Sequence, residues 1–236
     1  MAEYARVLCV LAHPDDVDFA AAGTVAGLTD QGSEVSYCLV TDGTLGGYDP
    51  AVSRAEMASI RRAEQRAAAA IVGVSQLSFL GEADGSVQAG IELRRAITAV
   101  IRRARPELVI THSPYRNFQR VQSSHPDHLA CGEATLAAVY PDARNQFCYP
   151  ELELAVWTVP EVWLIGSETP DHFVEVGDQL ARKRAALLSH VSQRPGMRGA
   201  GEEVDAFLAD ALGHNASLAG WPPGRLAEAF RRISTA

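Results

Sequence analysis

The sequence lacks any run of the ~18 consecutive apolar residues that a membrane-spanning helix needs, and it does not open on a basic segment leading into a cleavable apolar stretch. Both absences lead to the expectation of a cytoplasmic protein with no membrane partner. Positive charge is also short: 21 Lys and Arg face 29 Asp and Glu, a formal net charge of −8. With no basic stripe interleaved with aromatics, the chain offers little to hold a nucleic-acid backbone. Cysteine is sparse, and Cys9, Cys38, Cys131 and Cys148 form no C-x-x-C pair. Cys9 and Cys38 fall inside predicted strands, where cysteine acts as a small hydrophobe. The Gly-rich loop 42–47 lacks G-x-G-x-x-G, and Asp15 and Asp16 occupy the first strand-helix turn, where a pyrophosphate would need bare amides. A dinucleotide site is therefore disfavoured.

What is present is an alternation of apolar runs. Strands are expected over 7–11, 35–41, 77–80 and 108–112, separated by helices over 18–31, 54–72 and 90–104, with a further helix from the second histidine cluster to about 139. The β-branched, uninterrupted strands read as a buried parallel sheet. The expected fold class is α/β, a Rossmann-like mostly parallel sheet flanked by helices. A core over 1–140 is followed by a smaller strand-helix extension over 141–236, within a single domain. In that extension strands are expected at 156–158, 162–165 and 173–176, and helices at 179–191, 202–213 and 224–233.

Two short runs carry the chemistry. Ala12-His13-Pro14-Asp15-Asp16 follows the first strand, and Ser124-His125-Pro126-Asp127-His128 lies beyond the 108–112 strand. Loops leaving strand carboxyl ends converge on one crevice in open α/β folds, so the runs read as two halves of one metal site. His13 and Asp16 can supply two ligands and His128 the third, leaving the fourth position of a catalytic zinc site open. Asp15 is the natural general base, able to pass its proton to a leaving amine. His125 would stabilise an oxyanion, either protonated or as a neutral donor, and Asp127 could orient a histidine. Ser124 and Asp127 have capping-box spacing, with Pro126 in the first turn of the following helix. Over 54–72 the apolar stripe Met57, Ile60, Ala67 or Ala68, and Ile71 includes Glu64, so this carboxylate points at the core or at a cleft, with Arg61 placed to pair with it. His112, at a strand end, either lines the pocket or is a satisfied core residue.

These runs, together with Lys183-x-x-Ala186-x-x-x-His190-x-Ser192-Gln193, Arg61-x-x-Glu64, Phe79-Leu80-Gly81 with Asp84-Gly85, and Arg105-Pro106-x-x-Val109, resemble the LmbE-like, or PIG-L, zinc-dependent N-deacetylases over nearly the whole chain. The resemblance implies one zinc on His13, Asp16 and His128, acid/base work by Asp15, and a transition-state role for His125 supported by Asp127. It places Arg61, or its neighbour Arg62, near the substrate, and adds Asp84 to the substrate-binding candidates Glu64 and His112. It also implies removal of an acetyl group from an N-acetylglucosamine-type unit, with amide cleavage of mycothiol-type S-conjugates as an alternative, and trimers or hexamers as oligomeric states. A sugar-binding or regulatory protein with a structural metal is the alternative outside enzymes. Ser123 stands where the mycothiol-pathway members have a tyrosine, and Thr44 where an acidic residue is frequent. Substrate identity is expected to lie in loops 42–54, 113–123, 141–152 and 194–201.

Overall fold

Strand β1 (Arg6–Leu11) explains the sheet. Its apolar run serves two faces at once: Val7, Cys9 and Leu11 enter one hydrophobic cluster, while Leu8 and Val10 enter another. A strand buried on both faces belongs inside a parallel sheet covered by helices. In the computed structural model, which describes residues 3–193 and 200–235, β1 pairs in parallel with β2 (Glu34–Thr41) and β4 (Leu108–His112). Outside these lie β3 (Gln76–Glu82) and β5 (Glu161–Ile165), also parallel. The chain moves outward from β1 to β3, then crosses back to β4. Beyond the carboxyl ends of β1 and β4, where strand order reverses, a crevice opens.

Helices α2 (Ala22–Asp30) and α3 (Arg54–Ile71) cover one face. Helices α4 (Ile91–Ala104) and α5 (Pro126–Ala137) cover the other. The single helix expected over 18–31 is two: a short α1 (Asp16–Ala20) is broken from α2 at Ala21, whose φ of −142° is not helical. Ser53 caps α3 by accepting from the Glu56 N–H at 3.2 Å, and Gly73, at φ 85°, follows its end. The buried face of α3 is Met57, Arg61, Gln65, Ala68 and Ala69, turned from the expected stripe so that two polar residues point inward.

The C-terminal segment continues the same sheet, in the order β3-β2-β1-β4-β5-β7-β6. β7 (Ala227–Ser234) runs antiparallel between β5 and β6 (His172–Glu175). It replaces the helix expected over 224–233. Leu-Ala-Glu-Ala favours a helix locally, but the slot between β5 and β6 pairs this backbone on both sides and buries Ala227, Glu228 and Phe230, so tertiary context wins. No strand forms over 156–158. Helices α6 (Leu180–Leu188) and α7 (Ala200–Leu218) complete the fold. On α6, Lys183 Nζ donates to the Asp18 and Phe19 carbonyls at 2.9 and 2.8 Å and to Glu228 Oε1 at 2.6 Å. Glu228 also accepts from the Gly23 and Thr24 N–H groups, so one buried ion pair ties α6 and β7 to the α1–α2 junction. Among the described residues no helix is long and apolar enough to cross a membrane. Most of the expected substrate loop 194–201 lies outside the described residues.

Candidate metal centre

The first cluster is a tight turn between β1 and α1. Asp15 sits at φ 91° and ψ −25°, in a region that a side chain makes unfavourable by about 1–3 kcal/mol. The turn holds because its polar groups are engaged. The Asp15 carbonyl accepts from the Asp18 and Phe19 N–H groups at 2.8 and 3.0 Å, and Asp16 Oδ2 accepts from the His13 N–H at 2.7 Å. The second cluster opens α5, beyond β4, and brings His128 against the first.

His13 Nδ1 lies 3.2 Å from His128 Nε2 and 3.4 Å from Asp16 Oδ2, and His128 Nε2 lies 3.1 Å from Asp16 Oδ1. For a tetrahedral ion with bonds of 2.0–2.1 Å, the ligand-to-ligand edge is about 3.3 Å. The three spacings match such an edge, the two Asp16 distances being to its two different oxygens. The far side of each ring supports this: His13 Nε2 faces Asp84 Oδ1 at 3.1 Å and Asp127 Oδ2 at 3.2 Å, while His128 Nδ1 faces the Ser123 carbonyl at 3.3 Å. Protons on those nitrogens leave the inward lone pairs free for a metal. Burial disfavours charge on His13, yet Asp16 and Asp84 carry its pKa up to about 11. Other donor groupings overlap this one, including His125 with His13 and His128, and His112 with Asp16 and His128.

His112 is buried. Its Nε2 lies 3.2 Å from the Ala12 N–H and 3.1 Å from Asp16 Oδ2, and its ring stacks on His128 at 4.0 Å. Burial pushes its pKa down to about 4, so it is a neutral support beneath the donors.

Arg61 and Arg62 separate cleanly. Arg61 is buried and donates to the Pro14 carbonyl, to Asp15 Oδ2 at 2.8 Å and to the Gly43 carbonyl at 3.0 Å. Arg62 pairs with Asp42 instead. Gly43, at φ 63°, makes room for the guanidinium: a Cβ there would lie 2.1 Å from Arg61 Nη1 and would have to displace it. Burial raises the Asp15 carboxyl to about 6, with Arg61 opposing. Glu64 does not pair with Arg61 or reach the donors. Its carboxylate accepts from the Ser192 N–H and hydroxyl, both at 2.7 Å, because the helix face is turned from the expected stripe. Asp84, expected to bind substrate, faces His13 and accepts from the Leu45 N–H of the Gly-rich loop at 2.7 Å. Burial opposes its charge, but these partners keep its carboxyl below the usual range.

In the second cluster Ser124 does not cap α5. Its hydroxyl accepts from the Asn117 N–H at 2.7 Å, and His125 Nδ1 caps the helix by accepting from the Asp127 N–H at 3.2 Å. With Nδ1 an acceptor, a neutral His125 carries its proton on Nε2. Burial and the His13 charge both lower its pKa, which favours that neutral form. Asp127 is fully buried and supports His13 rather than His125; it also accepts from the Gly85 and Val87 N–H groups at 2.7 and 3.0 Å.

Residues 8–139 match the PIG-L family, described as GlcNAc-PI de-N-acetylase. The chain belongs to the PIG-L family. It is 33% identical over 192 residues to a diacetylchitobiose deacetylase of Thermococcus kodakarensis, covering 80% of this chain and 70% of that protein. A probable N-acetyl-α-D-glucosaminyl L-malate deacetylase 2 of Bacillus anthracis is 31% identical, with 80% and 81% covered. Among solved structures, N,N'-diacetylchitobiose deacetylase from Pyrococcus horikoshii superposes with a TM-score of 0.87 at 28% identity, over 98% of this chain and 85% of that one.

In this PIG-L chain a cleft of about 680 Å³ opens beside Asp16 and His128. Of the loops named above, 113–123 lines it through Asn117 and Arg120, and no residue of 42–54 or 141–152 is among its lining. Its other wall is α7, where Phe207 meets Phe19 of α1 and Leu212 also lines the cleft, a contribution that sequence reading missed. Gln65, Asp18 and His190 were missed as well. Of these only His190 carried a signal, its place in the Lys183-to-Gln193 motif.

Proposed function

We propose that the protein is a zinc-dependent N-deacetylase that hydrolyses the acetamide of an N-acetylglucosamine-type sugar or conjugate, with one zinc per chain on His13, Asp16 and His128. The observation that carries this reading is Asp15: a carboxylate outside the donor triad, next in sequence to a ligand and aimed by Arg61. When bound, the ion supplies Lewis acidity, lowering the pKa of water toward about 7 and polarising an acyl carbonyl. Asp15 takes the proton from the attacking water and returns it to the departing amine nitrogen. His125 donates from Nε2 to the oxygen that gains charge as the carbonyl becomes tetrahedral. Asp127 and Asp84 keep His13 turned, and His112 supports His128 from beneath. A purely structural metal site would have no use for a base held by a buried arginine. The substrate class follows the relatives, and the cleft has room for more than one sugar ring.

The test is amine release by zinc-reconstituted protein over N-acetylglucosamine, its inositol and malate conjugates, diacetylchitobiose and thiol S-conjugates, alongside metal analysis. About one zinc per chain and release from an acetamido sugar are expected. Full activity without metal would sink the mechanism, and release confined to S-conjugates would move the assignment to the amidase branch. Asp15→Asn is expected to keep the metal and lose roughly 10²–10⁴-fold in rate.

A further inference from the structure

Asp15 is one of four described non-glycine residues with positive φ, alongside Arg105, Tyr149 and Glu153, and it alone of these adjoins the donor triad. Its carboxylate is held by Arg61 and its carbonyl by the first turn of α1. The remaining polar group is its own N–H, which the left-handed conformation turns out of the helix ladder. Gln65 Oε1 accepts it at 2.7 Å. Gln65 has to present its oxygen there, because its Nε2 donates at 2.9 Å to Asp18 Oδ2, and an ionised carboxylate can only accept. The same oxygen of Asp18 accepts from His190 Nε2 at 2.8 Å. Gln65 and Asp18 are fully buried and His190 is 2% exposed, so none of the three touches a substrate.

We infer that Gln65 is a positioning residue for this reaction: the Asp15 N–H donates to Gln65, Gln65 and His190 both donate to Asp18, and this set of bonds fixes the backbone from which the Asp15 carboxylate works. The inference rests on the reading of Asp15 as the proton-transfer group. Each donor in the set has one acceptor to serve, so the placing of donors sets the Gln65 amide in one orientation. Reversal would set the amide N–H groups against the Asp15 N–H and leave the Asp18 carboxylate facing an oxygen. The three residues come from α3, α1 and the turn after α6, and the arrangement therefore assembles only when those elements are packed.

Steady-state kinetics of zinc-reconstituted enzyme on N,N'-diacetylchitobiose, with site-resolved hydrogen exchange on the metal-free protein, test this. Gln65→Leu is expected to lower kcat roughly 10–100-fold at unchanged KM and zinc content, and to speed exchange of the Asp15 amide. In an Asp15→Asn background the same substitution should change kcat by no more than about twofold, since the carboxylate it positions is gone. An unchanged kcat in Gln65→Leu alone, or full additivity in the double variant, overturns the inference while leaving the base role standing. A wild-type rate in Asp15→Asn overturns the base role, and this inference with it. Should Gln65→Leu fail to fold, His190→Phe takes its place. It should lower kcat at constant KM, and His190→Gln, whose amide still donates, should restore it; no loss in the first or no recovery in the second rejects the inference.

Discussion

The two histidine-bearing loops hold their side chains by opposite means. The first loop is strained and braced from outside: Asp15 takes an unfavourable φ of 91°, and Arg61 and Gln65 reach across from α3 to keep it there. The second loop is an ordinary helix start, with Pro126 in the first turn and His125 serving as its own cap. The first thus depends on a distant helix for its shape, while the second carries its instructions within five residues. Under the proposed roles, the strained loop is the one that sets a base beside the ligands, and the unstrained one offers a donor to an oxyanion.

The sharpest way to break the comparison is to remove a ligand from each side. Asp16→Ala and His128→Ala should both lose zinc and lower activity by more than the roughly 10–100-fold typical of residues behind the ligands; metal analysis beside kcat/KM checks this. Next in size, His125→Phe should leave zinc in place and lower kcat roughly 10²–10³-fold, the cost of one oxyanion donor. Retention of full kcat would remove His125 from the reaction. Asp84→Asn, which weakens the support behind His13, should loosen zinc about 10–100-fold, measured by competition with a chelator. Smallest of all, Ser53→Ala removes the cap of the bracing helix and should cost about 1 kcal/mol of stability in urea unfolding, with kcat unchanged. A kcat loss there would mean that α3 transmits even its end fraying to Asp15.

Much of the sheet and both clusters were legible because their signals are local. A run such as 7–11 can hardly be other than a buried strand, and His-Pro-Asp spacing fixes which side chains neighbour one another. The failures have a shared cause in long-range packing. Residues 224–233 have helical composition, yet β7 forms because β5 and β6 leave a gap between them. Arg61 and Gln65 hide from a hydrophobic-periodicity argument since both are polar and both face inward, which displaced the expected stripe onto Glu64. Asp84 was expected to bind substrate, but its partner His13 lies 71 positions earlier in the sequence, and only the folded loop reveals that the two side chains meet. The Ser124 spacing was a fair cap signal. The side chain had a competing partner in Asn117 that sequence alone does not show.

Lys183 is the single lysine in the sequence, and its ammonium is sealed between the carbonyls at the end of α1 and the Glu228 carboxylate. The remaining residues of the Lys and Arg total are all arginines, whose guanidinium groups are inert toward the reagents that label amines under mild conditions. The chain terminus aside, the folded protein therefore presents almost nothing to an amine-reactive dye. Labelling at position 183 becomes a built-in clock for the opening of α6 and β7 away from the metal loop, readable by mass spectrometry without altering a residue.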